Sequence, residues 1–331
     1  TPQEVLEFFK IIKTLKASGK AIIFISHKLN EVIKIVDRIS ILRSGKIVGE
    51  ANPKTSSDKK LASLMVGRTV KLNAIKKKAQ SGQQPILTVE NLCIFNKKKE
   101  KVLSNINFNV CKGEIVGLAG VQGNGQTELV QSLTGNQKPS DGKFTFFNKN
   151  CSLSSPRQLH KMGIRHIPED RQRSGIISNF SISENMILNT YYQDEFSKGA
   201  ILKRQQIRDE TKKMIQAFDV RTPSEESEAG KLSGGNQQKL VVGREMSENI
   251  KFLIASQPTR GVDVGSIEYI HKQIINARDT GNGILLVSTE LEEIMTLSDR
   301  ILVIFRGKIF AEFNSKASVS EIGLAMAGIV A

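Results

Sequence analysis

Long apolar runs are missing from this sequence. The apolar runs it has, such as residues 21–25 and 284–287, have the length of buried strands and fall far short of the ~18 apolar residues that read as a membrane-spanning helix. A charged start followed by an apolar stretch and a small-residue cleavage site is also missing, so no signal peptide is expected. There is no initiator methionine: Thr1-Pro2 opens directly on a helical pattern, and the chain is expected to be a truncated piece of a longer one. Cysteine is scarce. Cys93, Cys111 and Cys151 show no metal or redox spacing and are expected to be small buried hydrophobes in a reducing cytosol. His160, His166 and His271 show no metal-ligand spacing either and are expected to be structural. Acidic residues are outnumbered, 33 against 48 basic ones, for a net charge of +15. Such a balance can signal nucleic-acid or anionic-membrane contact. Here, however, the lysine runs at 76–78 and 97–99 fall in predicted linker or turn, and no basic strand is interleaved with aromatics. No nucleic-acid partner is expected.

What is present begins with a composition ordinary for a soluble globular protein, 39% hydrophobic and 24% charged over 331 residues. That length holds one large domain and a piece of another. A repeat says how they are arranged. Residues 19–50 align without a gap on residues 281–312. Gly19/Gly281, Ser26/Ser288, Leu29/Leu291, Glu31/Glu293, Asp37/Asp299, Arg38/Arg300, Gly45/Gly307 and Lys46/Lys308 are among the identical pairs. The later copy ends a complete domain, so the earlier copy is read as the end of a similar one. The offset of the repeat implies about 180 residues upstream and a parent chain of about 510. The expected organisation is residues 1–66 as the C-terminal part of a first domain, 67–84 as a Gly, Ser, Gln and Lys-rich linker, and 85–331 as a second, complete domain.

Periodicity supplies the elements. Residues 2–15 have helical spacing ended by Gly19, residues 21–26 read as a buried strand, 29–36 as a helix and 39–42 as a strand. In the second domain, 86–92, 102–110 and 143–147 read as peripheral strands. Residues 114–118, 164–167, 251–255, 283–288 and 301–304 are short, apolar and β-rich, with helices between them. That alternation predicts an α/β sandwich with a mainly parallel sheet.

After the strand at 114–118 comes Gly120-Val121-Gln122-Gly123-Asn124-Gly125-Gln126-Thr127, then a helix. Strand, glycine loop and helix form a phosphate-loop frame. Glycines let backbone N–H groups curl round a phosphate, and the helix N-terminus adds positive potential. Thr127 keeps the hydroxyl that would reach Mg²⁺. The lysine position holds Gln126, whose neutral amide can donate a hydrogen bond without neutralising phosphate charge. A glycine loop without its lysine is a weak signal by itself. Downstream, Leu232-Ser233-Gly234-Gly235-Asn236-Gln237-Gln238-Lys239 opens a helix, Phe252-Leu253-Ile254-Ala255-Ser256-Gln257-Pro258-Thr259 closes a strand, and Ser288 begins a turn. The order and spacing of these segments, over nearly the whole chain, resemble the ABC ATPase family, with residues 232–239 as its signature.

The resemblance implies a RecA-like P-loop core carrying an antiparallel β subdomain and a helical subdomain that bears the signature, with ATP and Mg²⁺ as cofactors. It also exposes departures. The Walker B aspartate that holds Mg²⁺ through water is Ser256 here, and the glutamate that polarises the attacking water is Gln257. The switch histidine is present in the first copy as His27, but its counterpart in the second is Thr289. The Q-loop glutamine is replaced by Glu169 within Pro168-Glu169-Asp170-Arg171. Phe95 stands where the family stacks an aromatic on adenine, or else it is a strand-end core residue. Cassettes of this family pair head to tail, each ATP lying between one P-loop and the other signature. On that logic one site combines the upstream P-loop, His27 and, acting in trans, Ser233, Gly234, Gly235, Asn236 and Gln237. The other combines residues 120–127 with Ser256, Gln257 and Thr289, and is degenerate. The chain alone is expected not to turn over ATP.

The stretches Pro168-Glu169-Asp170-Arg171 and Gly234-Gly235-Asn236-Gln237-Gln238-Lys239 resemble twin-cassette importers of nucleosides and monosaccharides. Ala255-Ser256-Gln257-Pro258-Thr259-Arg260-Gly261-Val262-Asp263 looks most like the nucleoside group, with simple sugars the alternative. The implied partners are two membrane permeases that dock near Glu169, Asp170 and Arg171, a solute-binding lipoprotein reached indirectly, and the paired cassette of the parent chain. The implied location is the cytoplasmic face of the cell membrane, as a peripheral protein. Two rival readings are a ribosome-acting twin-cassette factor, which would need a long charged inter-cassette helix pair and two intact sites, and a non-catalytic regulatory module.

Overall fold

A computed structural model describes residues 2–26, 29–43, 45–67, 84–96, 98–247 and 250–329. Most of the expected linker, 68–83, lies outside them, as does His27. The chain divides into two compact units, Thr1–Ala74 with Asp263–Tyr269, and Ile75–Val262 with Ile270–Ala331.

The first unit contains α1 (Pro2–Ala17), α2 (Leu29–Ile35), β1 (Ile39–Arg43), β2 (Lys46–Ala51) and α3 (Asp58–Val66). Strands β1 and β2 form an antiparallel hairpin, and Val32, Ile39, Ile41 and Leu61 form a small core beneath it. Helix α3 starts where Ser57 accepts a hydrogen bond from the Lys60 N–H, which satisfies one of the free amides of the first turn. The strand expected at 21–26 does not form: those residues have no regular structure, and Ile23 and Ile25 are 91% and 92% exposed. A strand exists only against a partner, and the β1–β2 hairpin is the only sheet among the described residues of this unit. The repeat makes the point by contrast. Its second copy, Gly283–Ser288, is fully buried and pairs on both sides.

The second unit holds β3 (Pro85–Phe95), β4 (Lys101–Cys111), β5 (Ile115–Ala119), α4 (Gln126–Leu133), β6 (Asp141–Phe146), β7 (Lys149–Asn150), α5 (Pro156–Met162) and β8 (Ile164–Ile167). Then come α6 (Ile182–Met186), a small hairpin β9 (Ser197–Lys198) and β10 (Ile201–Leu202), α7 (Arg204–Ala217), α8 (Gly234–Met246) and β11 (Phe252–Ser256). It ends with residues 270–279 of α9 (Val264–Asp279), whose earlier residues belong to the first unit, then β12 (Gly283–Ser288), α10 (Leu291–Leu297), β13 (Arg300–Phe305), β14 (Lys308–Asn314) and α11 (Val319–Met326). A six-stranded sheet runs in the order β14-β13-β5-β12-β11-β8, parallel except for the β13–β14 hairpin. A four-stranded antiparallel sheet runs β4-β3-β6-β7. Strands β5, β11 and β12 are buried along their whole length, as expected of central parallel strands covered on both faces. One core joins the two sheets, with Phe144 and Phe146 beside Phe252, Ile254, Leu285 and Leu302. Cys93 and Cys151 are buried and Cys111 half-buried, all three as free thiols. Burial raises the pKa of Cys111 and Cys151 and keeps them protonated, which agrees with their expected role as small hydrophobes.

Candidate nucleotide site

Because β13, β5, β12, β11 and β8 are adjacent, the loops that leave their carboxyl ends share one edge of the sheet. In open α/β sheets that edge is where ligands sit. It collects the glycine loop after β5, the turn after β11, the switch turn after β12 and the Glu169 loop after β8.

The glycine loop is held by its own side chains. The Asn124 amide donates to the Val121 carbonyl at 2.8 Å, its Oδ1 accepts the Arg306 N–H at 2.7 Å, and its backbone carbonyl accepts the Gly307 N–H at 3.0 Å. Gly123 and Gly125 have φ of +91° and +108°, a conformation that glycine adopts freely and other residues do not. At Gly120 a Cβ would stand 2.6 Å from the Gln126 Nε2 and 2.8 Å from the Ile304 carbonyl, so only glycine fits. Gln126 itself is buried, 8% exposed. Its Nε2 donates to the Val121 carbonyl at 3.0 Å and its Oε1 accepts the Asn124 N–H at 3.1 Å. A lysine could only donate; the glutamine amide satisfies a donor and an acceptor of the loop at once. The replacement therefore removes a cation and also ties up a backbone N–H that faces the loop's interior.

The turn after β11 is equally neutral. Ser256 is 5% exposed and its hydroxyl has no hydrogen-bond partner among the described residues. Gln257 adopts φ of +48°, uncommon for a non-glycine residue. Its N–H donates to the Val287 carbonyl at 2.7 Å and its Nε2 donates to the Thr289 Oγ1 at 3.1 Å. Gln257 and Thr289 are thus bonded to each other, 32 apart in sequence. Below them the Thr259 hydroxyl donates to the Glu293 Oε1 at 2.7 Å, and His271 Nε2 meets the same oxygen at 3.0 Å.

A carboxylate that bonds to the glycine loop is Glu169. Its Oε1 accepts both the Gln122 Nε2 at 3.1 Å and the Arg260 Nη1 at 2.9 Å. Thr127 lies exposed at the start of α4. A hard divalent cation prefers carboxylate oxygen. The hydroxyls of Thr127 and Ser256 are neutral, and Glu169 is engaged with a guanidinium, so these residues do not form a Mg²⁺ site of their own. Among the described residues no cluster of three or more His, Cys, Asp or Glu could hold a metal ion.

Phe95 ends β3 at 42% exposure, with the Lys101 ammonium 5.9 Å from its ring centroid. This sets aside the alternative of a core residue. Lys101, its register partner, precedes Val102, whose carbonyl lies 3.4 Å from where a Gly125 Cβ would be. The signature residues open α8. Ser233 is its N-cap, its Oγ accepting the Asn236 N–H at 3.5 Å and the Asn236 side-chain amide at 3.0 Å. The Asn236 Oδ1 accepts the Arg221 N–H at 2.9 Å. Sequence reasoning did not find Arg260, Glu293 or Arg306; their partners are 91, 34 and 182 residues away, and no local pattern signals them.

Beside the Glu169 loop lies a cavity of about 360 Å³ lined by, among others, His160, His166, Pro168, Tyr192, Arg244 and Glu245. His160 Nδ1, His166 Nε2 and the Tyr192 hydroxyl are buried without hydrogen-bond partners among the described residues. Burial, joined by Arg165 at His160, lowers both histidines to about 4 while Glu245 opposes the shift. Both imidazoles are neutral at pH 7. Between pH 6.5 and about 4 the unfolded chain takes up protons that the folded chain refuses, so stability present above pH 6.5 is lost as pH falls through that window. For His166 the full loss is on the order of 3 kcal/mol. Thermal unfolding scanned from pH 7 to 4 should show a falling midpoint, and His166→Gln should flatten the fall. An unchanged slope would contradict the assignment.

Among known proteins, residues 103–260 match the family model described as ABC transporter. The chain is 43% identical over 329 residues to the guanosine import ATP-binding protein NupO of Bacillus subtilis, covering 99% of this chain and 64% of that one. It is 41% identical over 329 residues to the nucleoside import ATP-binding protein NupA of Lactococcus lactis, covering 99% and 65%. The chain thus spans a little under two thirds of the length of these relatives. A nucleotide-free ATP-binding cassette from an ABC transporter superposes with a TM-score of 0.61 at 23% identity, over 74% of this chain and 96% of that one. At that identity the likeness establishes the fold.

Proposed function

We propose, on the premise that the chain belongs to the ABC transporter family, that it is the larger part of a twin-cassette ATP-binding subunit that powers nucleoside import. The observation that carries the reading is the edge of the six-stranded sheet. It brings together the strand, glycine loop and helix expected of a nucleotide site, with Gln126, Ser256, Gln257 and Thr289 at the positions proposed to handle charge and protons. Such a site can hold a nucleotide through backbone N–H groups and the α4 N-terminus. It has no group to accept a proton from water at Gln257 and no cation at Gln126 to meet the β- and γ-phosphates.

Turnover then belongs to the other site of the pair, built from the upstream P-loop and His27 and completed by Ser233, Gly234 and Gly235 of this chain. Residues 1–66 are the tail of the upstream cassette, and 85–331 form the degenerate one. Phe95 is the proposed adenine platform, and Thr127 reaches a Mg²⁺ that the nucleotide's phosphates carry in. Bound Mg²⁺ would screen the phosphate charge. Two permeases are proposed to meet the chain at the turn formed by residues 169–175 and the cavity beside it, with a solute-binding lipoprotein delivering substrate from outside. No helix of the described residues is long and apolar enough to cross a membrane, so membrane attachment at the cytoplasmic face is assigned to those permeases. The likeness to NupO and NupA, named as guanosine and nucleoside import proteins, favours nucleosides over sugars.

The test is uptake. The N-terminally extended chain, co-expressed with its permeases and binding protein and reconstituted in vesicles, should import labelled guanosine or adenosine with internal ATP. Uptake of ribose or galactose instead would assign the sugar alternative. No ATP-dependent uptake of either class would sink the proposal.

A further inference from the structure

Arg171 was singled out by sequence as part of a docking motif, yet its side chain turns inward. Asp170 Oδ1 accepts the N–H groups of Gln172 and Arg173 at 3.0 and 3.1 Å, and the Ile176 N–H closes a wide turn on the Arg171 carbonyl at 2.8 Å. The turn over Arg171–Gly175 is thereby fixed. From it the guanidinium reaches two other segments. Nη1 donates to the Arg260 carbonyl at 2.8 Å and Nη2 to the Gly261 carbonyl at 3.4 Å, both in the turn after β11. Nε donates to the Gln237 Oε1 at 3.4 Å, in the first turn of α8. Gln237 is 4% exposed, and its amide donates in turn to the carbonyls of Ala229 and Gly230. At Gly234 a Cβ would stand 2.6 Å from Arg171 Nη2, so the absence of a side chain there is what lets the guanidinium pass. Glu169, two residues before, holds the Arg260 side chain and Gln122 of the glycine loop.

We propose that Arg171 is a positioning residue that clamps the start of α8 to the turn after β11, so that a displacement of the turn at 169–175 carries the signature segment with it. The proposal deepens the functional reading and rests on it for the roles of the signature and of the docking turn; the clamp itself is testable without it. A planar fork with several N–H donors in fixed directions can engage three acceptors on two segments at once. A lysine ammonium on a flexible stem cannot reproduce that geometry, although it keeps the charge.

The experiment is amide hydrogen exchange on this chain as wild type, Arg171→Ala, Arg171→Lys and Gly234→Ala. The clamp predicts exchange at least tenfold faster at the N–H groups of Asn236, Gln237 and Arg260 in both Arg171 variants, with β5, β11 and β12 unchanged. Gly234→Ala, whose methyl displaces the guanidinium, should give the same pattern. The double variant Arg171→Ala with Gly234→Ala should add little beyond Arg171→Ala, because the two changes remove one shared contact. Wild-type exchange at those amides, rescue by lysine, or acceleration spread over the whole sheet would each overturn the clamp. In the extended, permease-bound protein, Arg171→Lys should lower kcat at least tenfold with KM for ATP within twofold. A wild-type assembly without ATPase activity would refute the functional reading, and the exchange data would still decide the clamp. Hydrolysis by wild type and Arg171→Lys at equal kcat would overturn it.

Discussion

Residues 1–331 alone should show no ATP turnover above background, and the chain extended upstream by the proposed first cassette should hydrolyse ATP. The expectation follows from which groups sit on the sheet edge. An attacking water must lose a proton, and Gln257 cannot take it. Its amide is already paired with Thr289 at 3.1 Å. Charge that builds on the γ-phosphate must be stabilised, and Gln126 has no charge to offer and is folded back onto Val121 and Asn124. In the proposed pairing, His27 and the Ser233 segment would complete a second site whose P-loop comes from upstream. In the extended protein, His27→Ala or Ser233→Ala should therefore lower kcat by at least ~100-fold, the size of effect seen when a preorganised donor to a developing charge is removed. Phosphate release measured on the two lengths of chain decides the matter. Robust hydrolysis by residues 1–331, abolished by Gln126→Ala or Gln257→Ala, would mean that the neutral site does the chemistry and that the two sites are not unequal in the way proposed.

Arg244→Ala should destabilise the second unit by about 3–5 kcal/mol, because it leaves a buried charge unpaired. Arg244 and Glu245 have side chains only 6% and 3% exposed, with Nε 2.9 Å from Oε1. The pair is tied into its surroundings. Arg244 Nη1 donates to the carbonyls of Gly175 and Asn185 at 2.8 and 3.2 Å, and Glu245 Oε1 also accepts the Asn189 amide at 2.8 Å. Removing the arginine strands the carboxylate and the Gly175 carbonyl together, while the Asn185 carbonyl keeps the Ile187 N–H. Replacing both members by Arg244→Met with Glu245→Leu should recover part of the loss, since no buried charge is left, while the Gly175 carbonyl still lacks the Arg244 donor. Guanidinium chloride unfolding of the three proteins gives the comparison. A change below about 1 kcal/mol for Arg244→Ala would show that the cavity beside the pair admits enough water to solvate Glu245.

The sequence alone determined the elements whose signal is local. The apolar runs at 114–118, 164–167, 251–255 and 301–304 all lie in strands that differ from them by at most a residue or two, and the run at 283–288 is β12 as read. Buried parallel strands need continuous apolar side chains, and that requirement is written into a few consecutive residues. The glycine loop and the helix start at the Ser233 segment were legible for the same reason, each being a short pattern of residue types, whereas the neutral residues at 126, 256, 257 and 289 stand out only against the resemblance to the ABC family. The internal repeat likewise was visible as pattern.

Only the tertiary structure decided what those residues do next. Residues 21–26 and 283–288 carry the same pattern, yet one is exposed and irregular and the other is a central strand. A strand is a relation between neighbours, and the sequence of one member does not contain the other. That Gln126 folds back into its own loop, that Gln257 bonds Thr289, that Glu169 takes up Arg260 and that Arg171 reaches Gln237 all depend on which loops the sheet order places side by side. The partners in the last three pairs are 32, 91 and 66 residues apart, far beyond the reach of helical or strand periodicity. Local chemistry therefore fixed which groups the site has lost, and strand adjacency fixed how the remaining ones hold one another.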